Sequence, residues 1–218
     1  MDDRPMTCSE PPEYLPTLYF SALLCTADAV EVRMDHQYSR QSFQNRARLR
    51  TPDGWQWITV PLQGGQTGLP IGQTLIDHSD NWQARHLKAF QFNYGTSPFF
   101  EHFFPGLQSV LAQQHDTLGT LTAATVRLVH ELLGAPGRLL VRHGDEPGSE
   151  EHLPRDLILA GKEKETPPAA LAELKLDLPP YRQNFDGFER DMSTMDLLFN
   201  YGPAARGMLT AATEVTRI

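Results

Sequence analysis

A mixed α/β or α+β layer fold is predicted for this chain by the order of its segments. Runs of strand character come first, stretches of helical period follow, and a late strand closes the main part. Its expected core is a central sheet of about four or more strands flanked by helices, with the strand order left open. The chain has 218 residues, 40% of them apolar, which suits one globular unit with a substantial core.

Residues 1–13 are acidic and proline-bearing and read as a flexible N-terminal arm. Thr17 can cap a helix over about 18–26. The Val-bearing run 29–34 reads as a strand, and 55–62, introduced by Pro52-Asp53-Gly54, as a second. Residues 35–50 show no clear period, 63–70 form a glycine-rich loop, and 71–76 read as a third short strand. Asp80 or Asn81 caps a helix with Trp82, His86, Ala89, Phe90 and Asn93 near one face. Pro98 interrupts it, helix resumes over about 99–114, and another runs from 121 to 133 and stops at Gly134. Residues 138–141 are a fourth candidate strand. The main domain is therefore 14–143. Residues 144–180 carry many Glu and Pro and predict a mobile surface segment. The remainder, 181–218, reads as a helical extension packing on the main domain, with a Ser193-capped helix ended by Gly202-Pro203.

The formal net charge of -8 disfavours nonspecific binding to nucleic acid or anionic membrane. No apolar run approaches the roughly 20 residues of a membrane span, and no signal-peptide core is present, so the expected location is cytoplasmic. Two cysteines, Cys8 and Cys25, are too few for a disulfide scaffold or a four-cysteine zinc site. Cys25 lies in an apolar run and reads as inert.

Against that acidic background, residues 38–50 hold four arginines and no acid. Such a cluster repels itself unless carboxylates, water or a bound anion compensate. Arg40 and Arg46 are candidate anion binders, since guanidinium suits phosphate and carboxylate. Gln41, Ser42 and Asn45 are the neutral groups that would orient the ligand. The plainer reading is a solvated hairpin, or arginines paired with Asp28, Glu31 and Asp35. A second cluster runs from Asp77 to Trp82 and on to Arg85-His86. Asp77 and His78 are the candidate acid/base pair, with Trp82 and His86 as further binding residues; helix capping and packing are the competing roles. No metal motif, Walker loop, dinucleotide fingerprint or nucleophile elbow is present, and any cofactor is left open.

Five ordered pieces of the sequence resemble the WbqC-like family of bacterial proteins. They are Tyr14–Phe20, Tyr38–Arg46, Asp77–Trp82, Tyr94–Glu101 and Met195–Pro203. The resemblance implies a role near bacterial surface-polysaccharide or O-antigen synthesis, with a nucleotide-sugar or amino-sugar substrate. It transfers no catalytic residue onto this chain. The leading expectation is a group transferase acting on an anionic, sugar-linked small molecule. The alternative is a non-enzymatic binding or assembly factor for polysaccharide enzymes. Oligomeric state is left open.

Overall fold

The computed structural model describes residues 6–143 and 173–216. Among them it has seven strands and six α-helices in a mixed α/β arrangement. Strand β1 (Thr7–Glu10), helix α1 (Leu18–Thr26) and strand β2 (Ala29–Arg33) form a parallel β-α-β unit. Strand β5 (Arg138–Arg142) joins the other side of β2, also parallel, so the order is β1-β2-β5. Ala29 to Val32 are all buried, as expected of a central parallel strand covered on both faces. Glu31 is buried with them and ion-pairs to Arg142 on β5.

Strands β3 (Arg46–Thr51) and β4 (Gly54–Thr59) make an antiparallel hairpin. Gly54 takes φ +122° just after its turn, a conformation that glycine adopts without strain. Strands β6 (Glu173–Leu176) and β7 (Thr213–Thr216) form a second antiparallel pair. The strands thus divide among three small sheets, the largest of three strands, instead of one sheet of four or more.

Helix α2 (Trp82–Tyr94) is capped by Asn81, and α3 (Phe100–Ala112) follows the Gly95–Phe99 break. Helix α4 (Leu118–Leu133) starts at Thr117 and ends at Gly134 in the left-handed conformation. Helix α5 (Thr194–Tyr201) is capped by Ser193, and α6 (Ala204–Ala211) follows directly. No helix among the described residues is long and apolar enough to cross a membrane.

Several local expectations change. Residues 71–73 form a 3-10 turn, not a strand. The Ile71 and Gly72 amides are held by the His36 and Met34 carbonyls, which bends the chain there. Helix α4 packs onto the same turn so closely that a Cβ on Gly119 would lie 2.7 Å from the Gly72 Cα. Residues 7–10, read as part of a flexible arm, are a strand because the Met6 amide and carbonyl are anchored at Asp28 and Ala29. Residues 173–176, read within a mobile segment, also form a strand; residues 144–172 lie outside the described residues.

Helix α1 is buried on nearly every side and packs against α6, α4, β2 and β6. Its Ser21 hydroxyl bonds the Thr194 hydroxyl at the start of α5 (2.7 Å). Met195, Leu197, Leu198 and Phe199 of α5 are completely buried. Phe199 sits among the rings of Phe90, Tyr94 and Phe100 at 5.1–5.9 Å between centroids. Leu198→Ala is expected to lower the unfolding free energy by about 2–5 kcal/mol, the range for a buried leucine. Urea melts at several protein concentrations check it: the loss should be the same at each, whereas a loss confined to concentrated samples would make α5 a docking helix.

Candidate functional site

Hairpin β3–β4 sets the chemistry of the site. Alternation along β3 buries Ala47 and Leu49 and sends Arg46 and Arg48 to the other face. There Arg48 lies opposite Trp57 in register. The Arg46 guanidinium sits 4.1 Å above the Trp57 ring, and that of Arg48 4.4 Å above Trp55. Phe43 packs against Trp57 at 5.6 Å. These stacks hold the arginines flat on apolar faces. Asp28, Glu31 and Asp35 do not partner them; Asp35 pairs with Arg33 and Glu31 with Arg142.

Two further segments close in on this face. The Tyr14 amide donates to the Phe43 carbonyl (3.0 Å), and the Ser193 amide to the Arg48 carbonyl (3.1 Å). Thr194 donates to the Pro16 carbonyl (2.8 Å), joining the two flanking segments to each other. Between them lies a cleft of about 490 Å³, within the range for small-molecule sites. Phe43, Leu178 and Phe188 give it apolar walls, and Arg48, Arg190, Glu13 and Asp191 give it charge.

Glu13 is half-buried and accepts from the Thr17 amide at 2.6 Å. Burial raises its pKa to about 7, with Thr17 hydrogen bonds pulling down and the Glu10 charge adding to the rise. A carboxyl poised there exchanges protons readily near neutral pH. Arg48 has a buried Nε without a hydrogen-bond partner. Its carboxylate partner, Asp191, lies at 3.5 Å with a side chain 73% exposed. An exposed pair of that kind is worth about 0–1 kcal/mol, so a bound anion can displace it.

None of the nine residues singled out in the sequence lines this cleft. Arg40 donates to the Thr67 hydroxyl (3.0 Å) at the surface. Gln41 takes a positive φ of 63°, and its carbonyl, with that of Ser42, accepts from Arg46. The Ser42 hydroxyl donates to the Ser39 carbonyl (2.7 Å). Asn45 is buried and donates to the Val60 carbonyl (3.0 Å). Asp77 accepts from the Ser79 amide (2.8 Å), which with the Ser79 hydroxyl holds its pKa below the usual carboxylate range. His78 contacts the His115 carbonyl (3.0 Å) and makes no described hydrogen bond with Asp77. The Asp77 amide bonds the Pro61 carbonyl while the Val60 amide bonds the Asn45 carbonyl, so these two segments meet at one end of β4. Trp82 and His86 are buried beneath Tyr14, whose hydroxyl bonds His86 Nδ1 (2.8 Å). Desolvation lowers the His86 pKa to about 4, so the ring is neutral at pH 7. Burial pushes both thiols, Cys8 and Cys25, up to about 11, which leaves them unreactive.

Glu13, Arg48, Phe43 and Arg190 are among the cleft residues that the sequence reading did not single out. A sequence signal existed for one: Glu13 stands four residues before Thr17, where a carboxylate can reach an unsatisfied amide at a helix start.

Fold and cleft together describe a mixed α/β protein that presents arginine, carboxylate and aromatic groups to a small-molecule-sized cavity. The family model of the WbqC-like protein family matches residues 11–153. The uncharacterized protein Rv1507c of Mycobacterium tuberculosis (strain ATCC 25618 / H37Rv) is 31% identical over 213 residues, covering 88% of this chain and 92% of that protein. The chain belongs to the WbqC-like protein family. No solved structure matches it.

Glu13 and His86 make opposite contributions to the pH dependence of stability. The folded pKa of Glu13, about 7, lies above its ordinary 4.5, so its contribution is full below pH 4.5 and is lost as pH rises to 7. The folded pKa of His86, about 4, lies below its ordinary 6.5, so its contribution is full above pH 6.5 and is lost as pH falls to 4. Between about pH 4.5 and 6.5 the two oppose each other. Urea melts of the parent and Glu13→Gln should therefore diverge: relative to the parent, the variant's stability should climb with pH across this window, by up to ~1.4 kcal/mol per pH unit. Parallel pH profiles for the two proteins would remove the raised pKa of Glu13.

Proposed function

We propose that the cleft between β3 and the two flanking segments is the active site of a group transferase acting on an anionic, sugar-linked substrate. The observation that carries this reading is Arg48: it is stacked on Trp55, among the described residues its Nε has no hydrogen-bond partner, and its carboxylate partner Asp191 is solvent-exposed. Arg48 and Arg190 would bind the anionic leaving group, and Phe43 and Phe188 would cover the ring. Glu13 would serve as general base. An acceptor hydroxyl or amine gives its proton to the Glu13 carboxylate as its oxygen or nitrogen bonds to the transferred group. The bond to the anionic leaving group breaks, and its electron pair departs with that group toward the arginines. The bacterial surface-polysaccharide setting belongs to the same proposal, supported by the family resemblance, and a cytoplasmic location is proposed with it.

The assembly-factor reading rests on a different observation. Trp55 is 40% exposed with Arg48 stacked on it, a surface that an acidic protein partner could cover.

A thermal-shift panel of nucleotide diphosphate sugars and inorganic phosphate separates the two. At millimolar concentration at least one nucleotide sugar should raise the melting temperature by several degrees, as expected of a ligand that binds only the native state. Arg48→Gln and Arg190→Gln should each reduce the shift, and Glu13→Gln should keep it. No shift across the panel, or a shift untouched by both arginine substitutions, overturns the transferase reading.

A further inference from the structure

A second cleft, of about 460 Å³, opens on the opposite side of the hairpin. One wall is the β3–β4 turn with Thr51, Asp53 and Gln56. Gln56 pairs in register with Leu49, on the face turned away from Arg48 and Trp57. The other wall is one stripe of α2, carrying Arg85, Lys88, Ala89 and Phe92 at helical spacing.

Three features of this cleft remain unexplained by folding alone. Phe92 is 78% exposed, although the face of α2 that holds Trp82, His86 and Phe90 is buried. Asn93, which also lines the cleft, is 4% exposed. Its side-chain NH2 donates to the Ala89 carbonyl (2.9 Å) and its backbone carbonyl accepts from Asn184 (2.8 Å), but its Oδ1 is buried with no partner. An unsatisfied buried acceptor is costly, so a donor brought to it is favoured. Finally, two cations, Lys88 and Arg85, stand at the cleft beside Asp53. Arg85 is held by an ion pair with Asp80 (2.8 Å), which leaves Lys88 the freer cation.

We infer that this second cleft binds a nucleotide: a planar base against Phe92, an N–H of the base toward Asn93 Oδ1, and a phosphate at Lys88. The three demands of the cleft are an apolar planar surface, a hydrogen-bond donor and an anion. A nucleoside monophosphate supplies all three at a size the volume accommodates. Inorganic phosphate or a sugar phosphate supplies only the last. The site is separate from the one lined by Arg48 and Arg190 and stands whether or not that cleft is catalytic.

Equilibrium dialysis of the full chain with labelled AMP tests the inference, with ribose 5-phosphate and inorganic phosphate as the control ligands. Phe92 and Lys88 are both exposed, so Phe92→Ala and Lys88→Ala should fold as the parent does, which a parent-like melting temperature would verify. AMP should saturate at one site per chain. Each substitution should weaken it at least tenfold, Arg190→Gln should leave it unchanged, and ribose 5-phosphate should bind at least tenfold more weakly than AMP. No saturable AMP binding at millimolar concentration overturns the assignment. So does AMP binding that survives both Phe92→Ala and Lys88→Ala, or that is lost in Arg190→Gln, or that ribose 5-phosphate matches.

Discussion

Arg50 is the group on which the arrangement of the site depends. It is the last arginine of β3, and at 2% exposure it is buried. Its Nε donates to Gln183 Oε1 (3.1 Å), one terminal nitrogen donates to the Gly54 carbonyl (2.7 Å) and to Thr51, and the other to the Asp186 carbonyl. Gln183 passes the connection on, donating to Asp196 Oδ2 (3.0 Å), which also accepts from the Tyr181 hydroxyl (2.6 Å). The Arg50 amide meanwhile donates to the Tyr94 hydroxyl (2.9 Å). Burial pushes the Asp196 pKa up, and hydrogen bonds from Tyr181, Gln183 and Tyr94, together with the Arg50 charge, pull against that rise. Arg50 and Asp196 are thus buried near one another and joined through the Gln183 amide, while Asp196 Oδ1 has no hydrogen-bond partner among the described residues. Leaving either alone would cost several kcal/mol.

The consequence is geometric. Residues 181–186 are fastened to the hairpin by Arg50, and the chain that follows brings Phe188, Arg190 and Asp191 to the cleft. On the other flank, the Tyr14, Trp82 and His86 cluster fixes the segment that carries Glu13. The cleft is therefore assembled from parts of the chain more than 170 residues apart, and the Thr194–Pro16 and Thr194–Thr17 hydrogen bonds close the circuit. A transferase site of the kind proposed requires such rigidity, because an anion clamp and a base act only when held in mutual register.

Much of the fold was legible in the sequence for local reasons. Caps at Thr17, Asn81 and Ser193 and the left-handed stop at Gly134 depend on residues close in the chain, and they are found where the sequence indicates them. Strand β3 was obscured because its alternation is written in arginines, whose stems pack on tryptophan while their charge reads as solvent-facing. Residues 71–76 carry strand-like side chains, but close packing against Met34 and Gly119 bends 71–73 into a turn that propensity cannot foresee. The site was less legible still. Arginine enrichment in 38–50 pointed to the right hairpin, yet Arg40 and Arg46 are tied to local oxygens and it is Arg48 that reaches the cleft. Arg190 and Phe188 join it only through tertiary contacts, for which sequence spacing holds no signal.

The central claim is that the hairpin and the C-terminal segment are one electrostatically coupled unit. A double-mutant cycle on unfolding free energy at pH 7, with Arg50→Met, Asp196→Leu and the pair, measures that coupling directly. Each single substitution strands the opposite charge and should be severe, about 3–5 kcal/mol. The double variant should recover part of the loss, with an interaction energy on the order of 1–3 kcal/mol. Additive losses, within about 0.5 kcal/mol, would show that the two charges do not sense each other and would contradict the account.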